Sequence, residues 1–221
     1  MIPAVDVLGN EAVRLEQGDF DRVCVRAGGA LALVERLAET QPPLLHLVDL
    51  DGARSGRVRP ELVAAAVAAA DGVAVQASGG IRSVADAEAL LEAGAARVVV
   101  GTAAFADGAL PEYVRSLGER LVVAIDVRGG SVAVSGWERS SGLTAEEAVD
   151  RCADAGVPRL LCTAVERDGT LGGPDLRLLA RVRARARGPI LAAGGIRPER
   201  DLEALAEVGV EAAIVGRGLL R

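Results

Sequence analysis

Two aspartates occupy matching apolar runs in the two halves of the chain. Asp6 lies in the run Ala4–Val7 and Asp126 in the run Ala124–Val127. A carboxylate among apolar residues is unfavourable unless it is hydrogen-bonded or used in chemistry. Two carboxylates in different local environments can act as acid and base. The sequence therefore predicts that Asp6 and Asp126 are an acid–base pair. The alternative is that both side chains cap loop amides at strand ends.

Glycine-rich segments also occur twice. Gly-Gly-Ile-Arg at positions 79–82 recurs at 194–197, and a further glycine follows each copy at 101 and 216. Glycines at a strand-to-helix turn let backbone N–H groups approach an anion, and the helix N-terminus favours negative charge. We therefore expect a ligand that carries a phosphate at each end, with surface salt bridges as the alternative role of the two arginines. The expected phosphate-binding residues are Gly79, Gly80, Arg82, Gly101 and Thr102, and Gly194, Gly195, Arg197, Gly216 and Arg217.

Other residues complete the candidate site with weaker signals. Thr163 follows a short apolar run, and its hydroxyl suits either a substrate or a catalytic carboxylate. The turn sequence Asp168-Gly169 either folds over the ligand or simply turns the chain. Trp137, the only tryptophan, either stacks on a heterocycle or packs under a loop. His46 lies inside an apolar run and is interpreted as a core histidine, which leaves the carboxylates as acid–base groups.

The elements that position these residues follow an internal repeat. The offset of 115 residues between the Gly-Gly-Ile-Arg copies also relates Asp86 to Asp201 and Gly94 to Gly209. The chain is therefore interpreted as one domain, 1–221, that contains two half-domains of about 1–115 and 116–221.

Short apolar runs alternate with Ala-rich segments of helical length, which predicts a parallel sheet covered on both faces. Eight strands in two matching sets favour a closed eight-stranded β/α (TIM) barrel, with function at the carboxyl ends of the strands. An open doubly wound sheet is the alternative. The predicted strands are 2–7, 44–50, 73–77, 97–100, 121–127, 159–162, 189–192 and 212–215, and the predicted helices include 60–70, 84–93, 144–155 and 199–208.

Composition excludes several function classes. The net charge of −6 argues against nucleic-acid binding, and the Arg-rich stretch 181–187 is interpreted as a solvated helix face. One histidine and three widely spaced cysteines do not form a metal site. We expect the cysteines to be buried free thiols. No apolar run approaches the ~18 residues of a membrane span and no signal peptide is visible, so the cytoplasm is expected.

Taken together, these motifs resemble the phosphoribosylformimino-aminoimidazole-carboxamide ribotide isomerase family of histidine biosynthesis. The resemblance implies an Amadori rearrangement of an aminoaldose, ProFAR, to an aminoketose, PRFAR, without a cofactor or an obligate protein partner. It further implies that Asp6 is the general base, Asp126 the general acid and Thr163 a catalytic threonine, and that Arg14 contacts the substrate. The segments that carry the resemblance are 3–6, 13–20, 46–53, 79–82, 136–137 and 167–171.

Three other functions remain open. A sister cyclase of the same pathway has the same barrel, aspartates and phosphate loops. A dual-substrate isomerase also rearranges phosphoribosylanthranilate, and it typically has Arg where this chain has Ser135. A non-catalytic phosphate-binding remnant is the third. The resemblance also predicts a helix after the last strand, and the sequence ends at Arg221 without one.

Overall fold

Eight parallel strands close into a barrel in the computed structural model of the chain, which describes residues 1–134, 137 and 139–219. The strands in chain order are β1 (Ile2–Leu8), β2 (Glu11–Glu16), β3 (Asp19–Gly29), β4 (Leu45–Asp49), β5 (Val75–Ser78), β6 (Arg97–Val100), β7 (Leu121–Arg128), β8 (Ser131–Val134), β9 (Arg139–Thr144), β10 (Leu160–Ala164), β11 (Ile190–Ala193) and β12 (Ala212–Val215).

The barrel follows the order β1–β4–β5–β6–β7–β10–β11–β12, and β12 returns to β1 through the parallel pairs of Ile2 with Ile214 and Pro3 with Val215. The predicted closed barrel is therefore confirmed, and the open sheet is wrong. The origin of the barrel in two duplicated halves stays a prediction.

Helices cover the outside of the barrel. Ser83 and Thr144 each begin a helix with a reciprocal capping box, in which the helix's third residue bonds back to the cap. All four predicted helices are present, with ends shifted by at most one residue. The helices are α1 (Ala30–Ala38), α2 (Leu50–Ser55), α3 (Pro60–Ala69), α4 (Val84–Glu92), α5 (Ala109–Leu117), α6 (Ala145–Ala155), α7 (Leu176–Arg185) and α8 (Pro198–Glu207). The expected final helix concerns positions after Leu219, outside the described residues.

Two antiparallel extensions at the mouth were not predicted. β2 and β3 form a hairpin on the end of β1, and β8 and β9 form a second on the end of β7. These strands lie above the barrel and stay partly exposed, so they lack the continuous apolar pattern of the barrel strands. The first hairpin brings Arg14 over the mouth, and Trp137 lies in the turn of the second.

The hydrophobic core has two layers. One fills the space between strands and helices, and the other fills the barrel interior, where alternate strand residues point inward. Ala4, Val99 and Ala124 of the interior line the cavity at the mouth, and their small side chains leave room for a ligand. The buried interior residues are Ile2, Ala4, Leu44, Val99, Val122, Ala124, Leu161, Leu191 and Ile214.

Two of the three cysteines are buried, as predicted. Cys152 and Cys162 are buried free thiols, whereas Cys24 is exposed because it lies on β3 of the first hairpin, so the prediction was wrong for Cys24.

Arg181 and Arg185 are exposed on α7 and pair with acidic residues of α6, which confirms the solvated helix face. No helix among the described residues is long and apolar enough to cross a membrane.

Candidate active site

A cavity of about 960 Å³ opens at the carboxyl ends of the barrel strands. It brings together every predicted site residue except Arg197. The predicted residues that line it are Asp6, Arg14, Gly79, Gly80, Arg82, Gly101, Thr102, Asp126, Trp137, Thr163, Asp168, Gly169, Gly194, Gly195, Gly216 and Arg217. In the described part of the chain, no three His, Cys, Asp or Glu side chains are grouped as a metal site.

Asp126 is held by two donors. The indole Nε1 of Trp137 donates to its Oδ2 at 2.8 Å, and the Thr163 hydroxyl also bonds to the carboxylate. Thr163 is the register partner of Asp126 on the neighbouring strand, which explains how it reaches the carboxylate. Burial raises the pKa of Asp126 above its ordinary value, although both hydrogen bonds favour the ionised form.

Asp6 is paired with the buried guanidinium of Arg14. Arg14 Nη1 lies on the Asp6 carboxylate, and Nη2 donates to the carbonyl of Ala4. The antiparallel pairing of β1 with β2, in which Asp6 lies opposite Val13, places Arg14 close to Asp6. A side chain on Gly216 would collide with the guanidinium, so Arg14 extends from the carboxylate to a predicted phosphate loop. Arg14 was predicted to contact the substrate, whereas its contact with Asp6 was not predicted.

Asp168 is a second carboxyl group of the cavity whose pKa is raised. Burial, together with the negative charges of Asp6 and Asp126, raises its pKa to about 7 against the opposing effects of Arg14 and the Gly169 N–H. A carboxyl group with this pKa is protonated in a large fraction of molecules at neutral pH, as a general acid must be. Asp168 was predicted only to bind substrate, because a turn sequence does not reveal burial.

Asp168→Asn is expected to stabilise the protein at pH 8 but not at pH 4. The folded-state pKa of about 7 lies above the ordinary carboxyl value in the unfolded chain, so the folded protein binds this proton more tightly. The destabilisation by a buried charge is therefore absent below about pH 4 and grows until about pH 7.

The difference is measured as the free energy of unfolding in urea at both pH values. Asp107→Asn, which removes an exposed loop carboxylate, is the matched control. An equal effect of Asp168→Asn at both pH values would contradict the raised pKa.

The two Gly-Gly-Ile-Arg loops adopt the same backbone conformation. Gly79 and Gly194 have φ of +104° and +100°, and Gly80 and Gly195 have φ of +81° and +72°. A side chain on Gly79 would collide with the carbonyl of Asp49, and one on Gly194 would meet the carbonyl of Ala164 at 2.5 Å. Only glycine satisfies both constraints. Because the loops follow β5 and β11, four strands apart in an eight-stranded barrel, they lie on opposite sides of the mouth.

The loop arginines differ between the two sides. Arg82 lines the cavity, whereas Arg197 points away and forms a paired hydrogen bond with Asp201 at 3.0 and 2.7 Å. The phosphate-binding role predicted for Arg197 is therefore not supported, because its guanidinium is used at the start of α8. Arg217 remains at the cavity and donates to the carbonyl of Gly169.

His46 is a core residue, as predicted. It is buried and its Nδ1 lies 2.9 Å from Nε2 of Gln76 on the next strand. Burial lowers the pKa of His46 to about 4, so the ring is neutral at physiological pH. Asp49, the last residue of the same strand, caps α2 by accepting a hydrogen bond from the Gly52 N–H. Its carboxylate also accepts a hydrogen bond from Arg59.

The apolar walls of the cavity were not predicted from the sequence. Phe20 on the first hairpin lines the mouth, and Arg54 lies 5.3 Å from the centre of its ring. Leu143 lines it from β9, in the second hairpin, and Leu171 from the loop after β10. These residues carry no chemical signal in the sequence, and only the folded hairpins and loops bring them to the site. The walls give the cavity an apolar surface between the two glycine loops.

Comparison with known proteins identifies a family and close relatives. The family model described as "Histidine biosynthesis protein" matches residues 1–221. A protein of Roseiflexus sp. (strain RS-1) is 44% identical over 225 residues, covering 99% of this chain and 93% of the relative. A protein of Thermomicrobium roseum is 47% identical over 223 residues, covering 99% and 91%. Both relatives are named 1-(5-phosphoribosyl)-5-((5-phosphoribosylamino)methylideneamino) imidazole-4-carboxamide isomerase.

Proposed function

The chain belongs to the histidine biosynthesis protein family, and we propose that it isomerises the bis-phosphorylated aminoaldose named for its relatives, ProFAR, to the corresponding aminoketose, PRFAR. The observation that carries the proposal is the arrangement of the cavity. Two glycine loops of equal conformation lie on opposite sides of the mouth, and carboxyl groups lie between them. The substrate of the relatives has two phosphoribosyl groups, and each loop offers backbone N–H groups to one phosphate.

The reaction has two stages, each of which needs proton transfer. Protonation of the furanose ring oxygen breaks its bond to C1 and leaves a protonated imine. Removal of the C2 proton then gives a neutral enaminol, which becomes the ketone when C1 gains a proton and the 2-hydroxyl group loses one. No atom is gained or lost, so the reaction consumes no second substrate. The cavity supplies the acid and base from the side chains of Asp6, Asp126 and Asp168.

Asp6 is assigned as the proton acceptor. Its carboxylate forms an ion pair with the buried guanidinium of Arg14 at the mouth of the barrel. Arg14 also fixes the direction of the carboxylate, because a second nitrogen of the same guanidinium is bound to the Ala4 carbonyl on the same strand. Each positioned proton transfer contributes about 10²–10⁴-fold in rate.

Asp126 is assigned as the proton donor, and Asp168 is the second candidate. Asp126 lies at the end of the fifth barrel strand, and burial raises its pKa. Its two hydrogen-bond donors nevertheless stabilise the ionised form. Asp168 has a pKa of about 7, which suits proton donation at neutral pH without further adjustment. The variants described in the Discussion separate the two carboxyl groups.

The test of the function is turnover by the purified chain alone. We expect conversion of ProFAR and little or no conversion of phosphoribosylanthranilate. The second compound has one phosphate and a carboxylate, so it leaves one glycine loop empty and needs a cation elsewhere. Ser135 and the side chain of Arg139, where such a cation was sought in the sequence, lie outside the described residues.

Complementation gives an independent result. The gene should rescue a histidine auxotroph that lacks this isomerase and should not rescue a tryptophan auxotroph that lacks the anthranilate-pathway isomerase. Rescue of both strains would identify a dual-substrate enzyme. Absence of ProFAR turnover by folded protein would overturn the proposal.

The cytoplasm is the proposed compartment, supported by free cysteines that suit a reducing environment.

A further inference from the structure

Arg128 connects two loops above the cavity without lining it. It is the last residue of β7, two positions after Asp126, and its side chain is exposed. Its Nη1 donates to the carbonyl of Trp137 and its Nη2 to the carbonyl of Gln17, both at 2.9 Å. The two carbonyls belong to different hairpins that extend from opposite sides of the barrel. One guanidinium therefore joins two segments that are far apart in sequence.

Both bound residues have unfavourable backbone conformations. Gln17 has φ of +54° and Trp137 has φ of +72°, a region that residues with a side chain rarely adopt. Such conformations persist where the surrounding contacts hold them. Arg128 bonds directly to the carbonyl of each of these two residues. Its planar guanidinium presents two N–H groups in a fixed relation, which a flexible ammonium group does not provide.

Trp137 and Gln17 each contact one of the two candidate proton donors or the turn that carries it. The Trp137 indole donates to Asp126 at 2.8 Å, and its ring lies against Gly18, where a side chain would collide with it. The Gln17 N–H donates to the carbonyl of Asp168 at 3.2 Å, and the Gln17 side chain donates to the carbonyl of Glu166 at 2.9 Å. The contacts of Arg128 thus lead to both candidate proton donors.

We propose that Arg128 is a positioning residue, which holds Trp137 and Gln17 so that the indole stays on Asp126 and the Asp168 turn stays over the cavity. The inference concerns the mouth loops and rests on the proposed function only for its effect on turnover. Loss of Arg128 should leave the phosphate loops intact, because these follow β5 and β11. Its effect should therefore appear in kcat rather than in KM.

The single tryptophan provides a direct measurement. Since Trp137 is the only tryptophan in the chain, its fluorescence reports on this position alone. In Arg128→Gln we expect emission at longer wavelength, stronger quenching by acrylamide, and a kcat that falls about 10- to 100-fold with little change in KM. Arg128→Lys keeps the charge but offers one nitrogen instead of two, so we expect only partial recovery of both properties.

Arg187→Gln is the matched control. Arg187 is also an exposed arginine that donates to a backbone carbonyl, that of Ala153 at 3.0 Å, but it lies between α7 and β11 at the opposite end of the barrel. This variant should keep wild-type fluorescence and kcat. Thermal unfolding of all three variants checks that each is folded, and Arg128→Lys carries the comparison if Arg128→Gln does not fold.

Unchanged emission and quenching in the Arg128 variants would overturn the proposal, whatever their activity. Altered fluorescence with wild-type kcat would also overturn it, because the positioning would then have no role in turnover. If the wild-type chain does not convert ProFAR, the proposed function fails. The fluorescence comparison would still show whether Arg128 holds Trp137.

Discussion

Asp126→Asn is expected to lower kcat for ProFAR by about 10²–10⁴-fold, the range for loss of one positioned proton transfer. Ligand affinity should stay within about tenfold, because the glycine loops rather than the carboxyl group carry the binding energy. Asparagine keeps the size of the side chain and can still bond to Trp137 or Thr163, so the change removes the transferable proton with little change in packing. Steady-state kinetics and equilibrium binding of the product measure the two effects.

Two further variants complete the experiment, one as a control and one as a test of the second candidate donor. Asp51→Asn is the control, since Asp51 also lies near the mouth and accepts a hydrogen bond from a loop N–H, that of Gly9, but does not line the cavity. Asp168→Asn tests the second candidate donor. Near-wild-type kcat in Asp126→Asn, together with a large loss in Asp168→Asn, would transfer the donor role to Asp168.

Gly194→Ala is expected to have the largest effect on binding, raising KM roughly 100-fold and also destabilising the fold. The φ of +100° costs about 1–3 kcal/mol for a residue with a side chain. The added Cβ would also meet the carbonyl of Ala164 at 2.5 Å, so the loop must move away from the end of β10. A moved loop no longer aims its N–H groups at the phosphate. Kinetics and urea unfolding measure the two losses separately.

Gly72→Ala separates strain from collision. Gly72 has φ of +89°, but a side chain there meets no atom within 4 Å and the residue lies before β5, at the end of the barrel away from the cavity. It should therefore show the cost of the backbone conformation alone, about 1–2 kcal/mol, with unchanged KM. Equal loss of stability in both variants would mean that the close approach to Ala164 does not require glycine.

The barrel was predictable because its signals are local and repeated. The eight barrel strands lie within two residues of their predicted bounds, since continuous apolar runs report burial on both faces. Asp6 and Asp126 were found because a carboxylate in an apolar run is energetically unfavourable. The glycine loops were found because the same glycine-rich sequence occurs twice. These signals do not depend on which distant segment comes to lie beside them.

What could not be predicted depends on long-range contacts. Arg14 reaches Asp6 because the first hairpin pairs with the end of β1, and the sequence pattern does not specify that pairing. The high pKa of Asp168 arises from burial under neighbouring loops, which a turn sequence does not encode. Arg197 belongs to the same repeated motif as Arg82 yet pairs with Asp201, because the motif does not specify which partner the side chain chooses. In each case the sequence shows the chemical type of the residue but not which other residues surround it in the fold.

The pairing of β12 with β1 also constrains when the protein becomes complete during synthesis. The start of β1 gains its partner on one edge from residues more than two hundred positions later, through the pairs of Ile2 with Ile214 and Pro3 with Val215, whereas β2 pairs with β1 from Asp6 onward. Until those later residues leave the ribosome, the start of β1 presents unpaired backbone groups beside an unfilled interior. Such an edge is a template for association with other chains. Bringing together ends so distant in sequence is also intrinsically slow. A nascent chain of this protein is thus most prone to aggregate in the interval just before its last strand emerges.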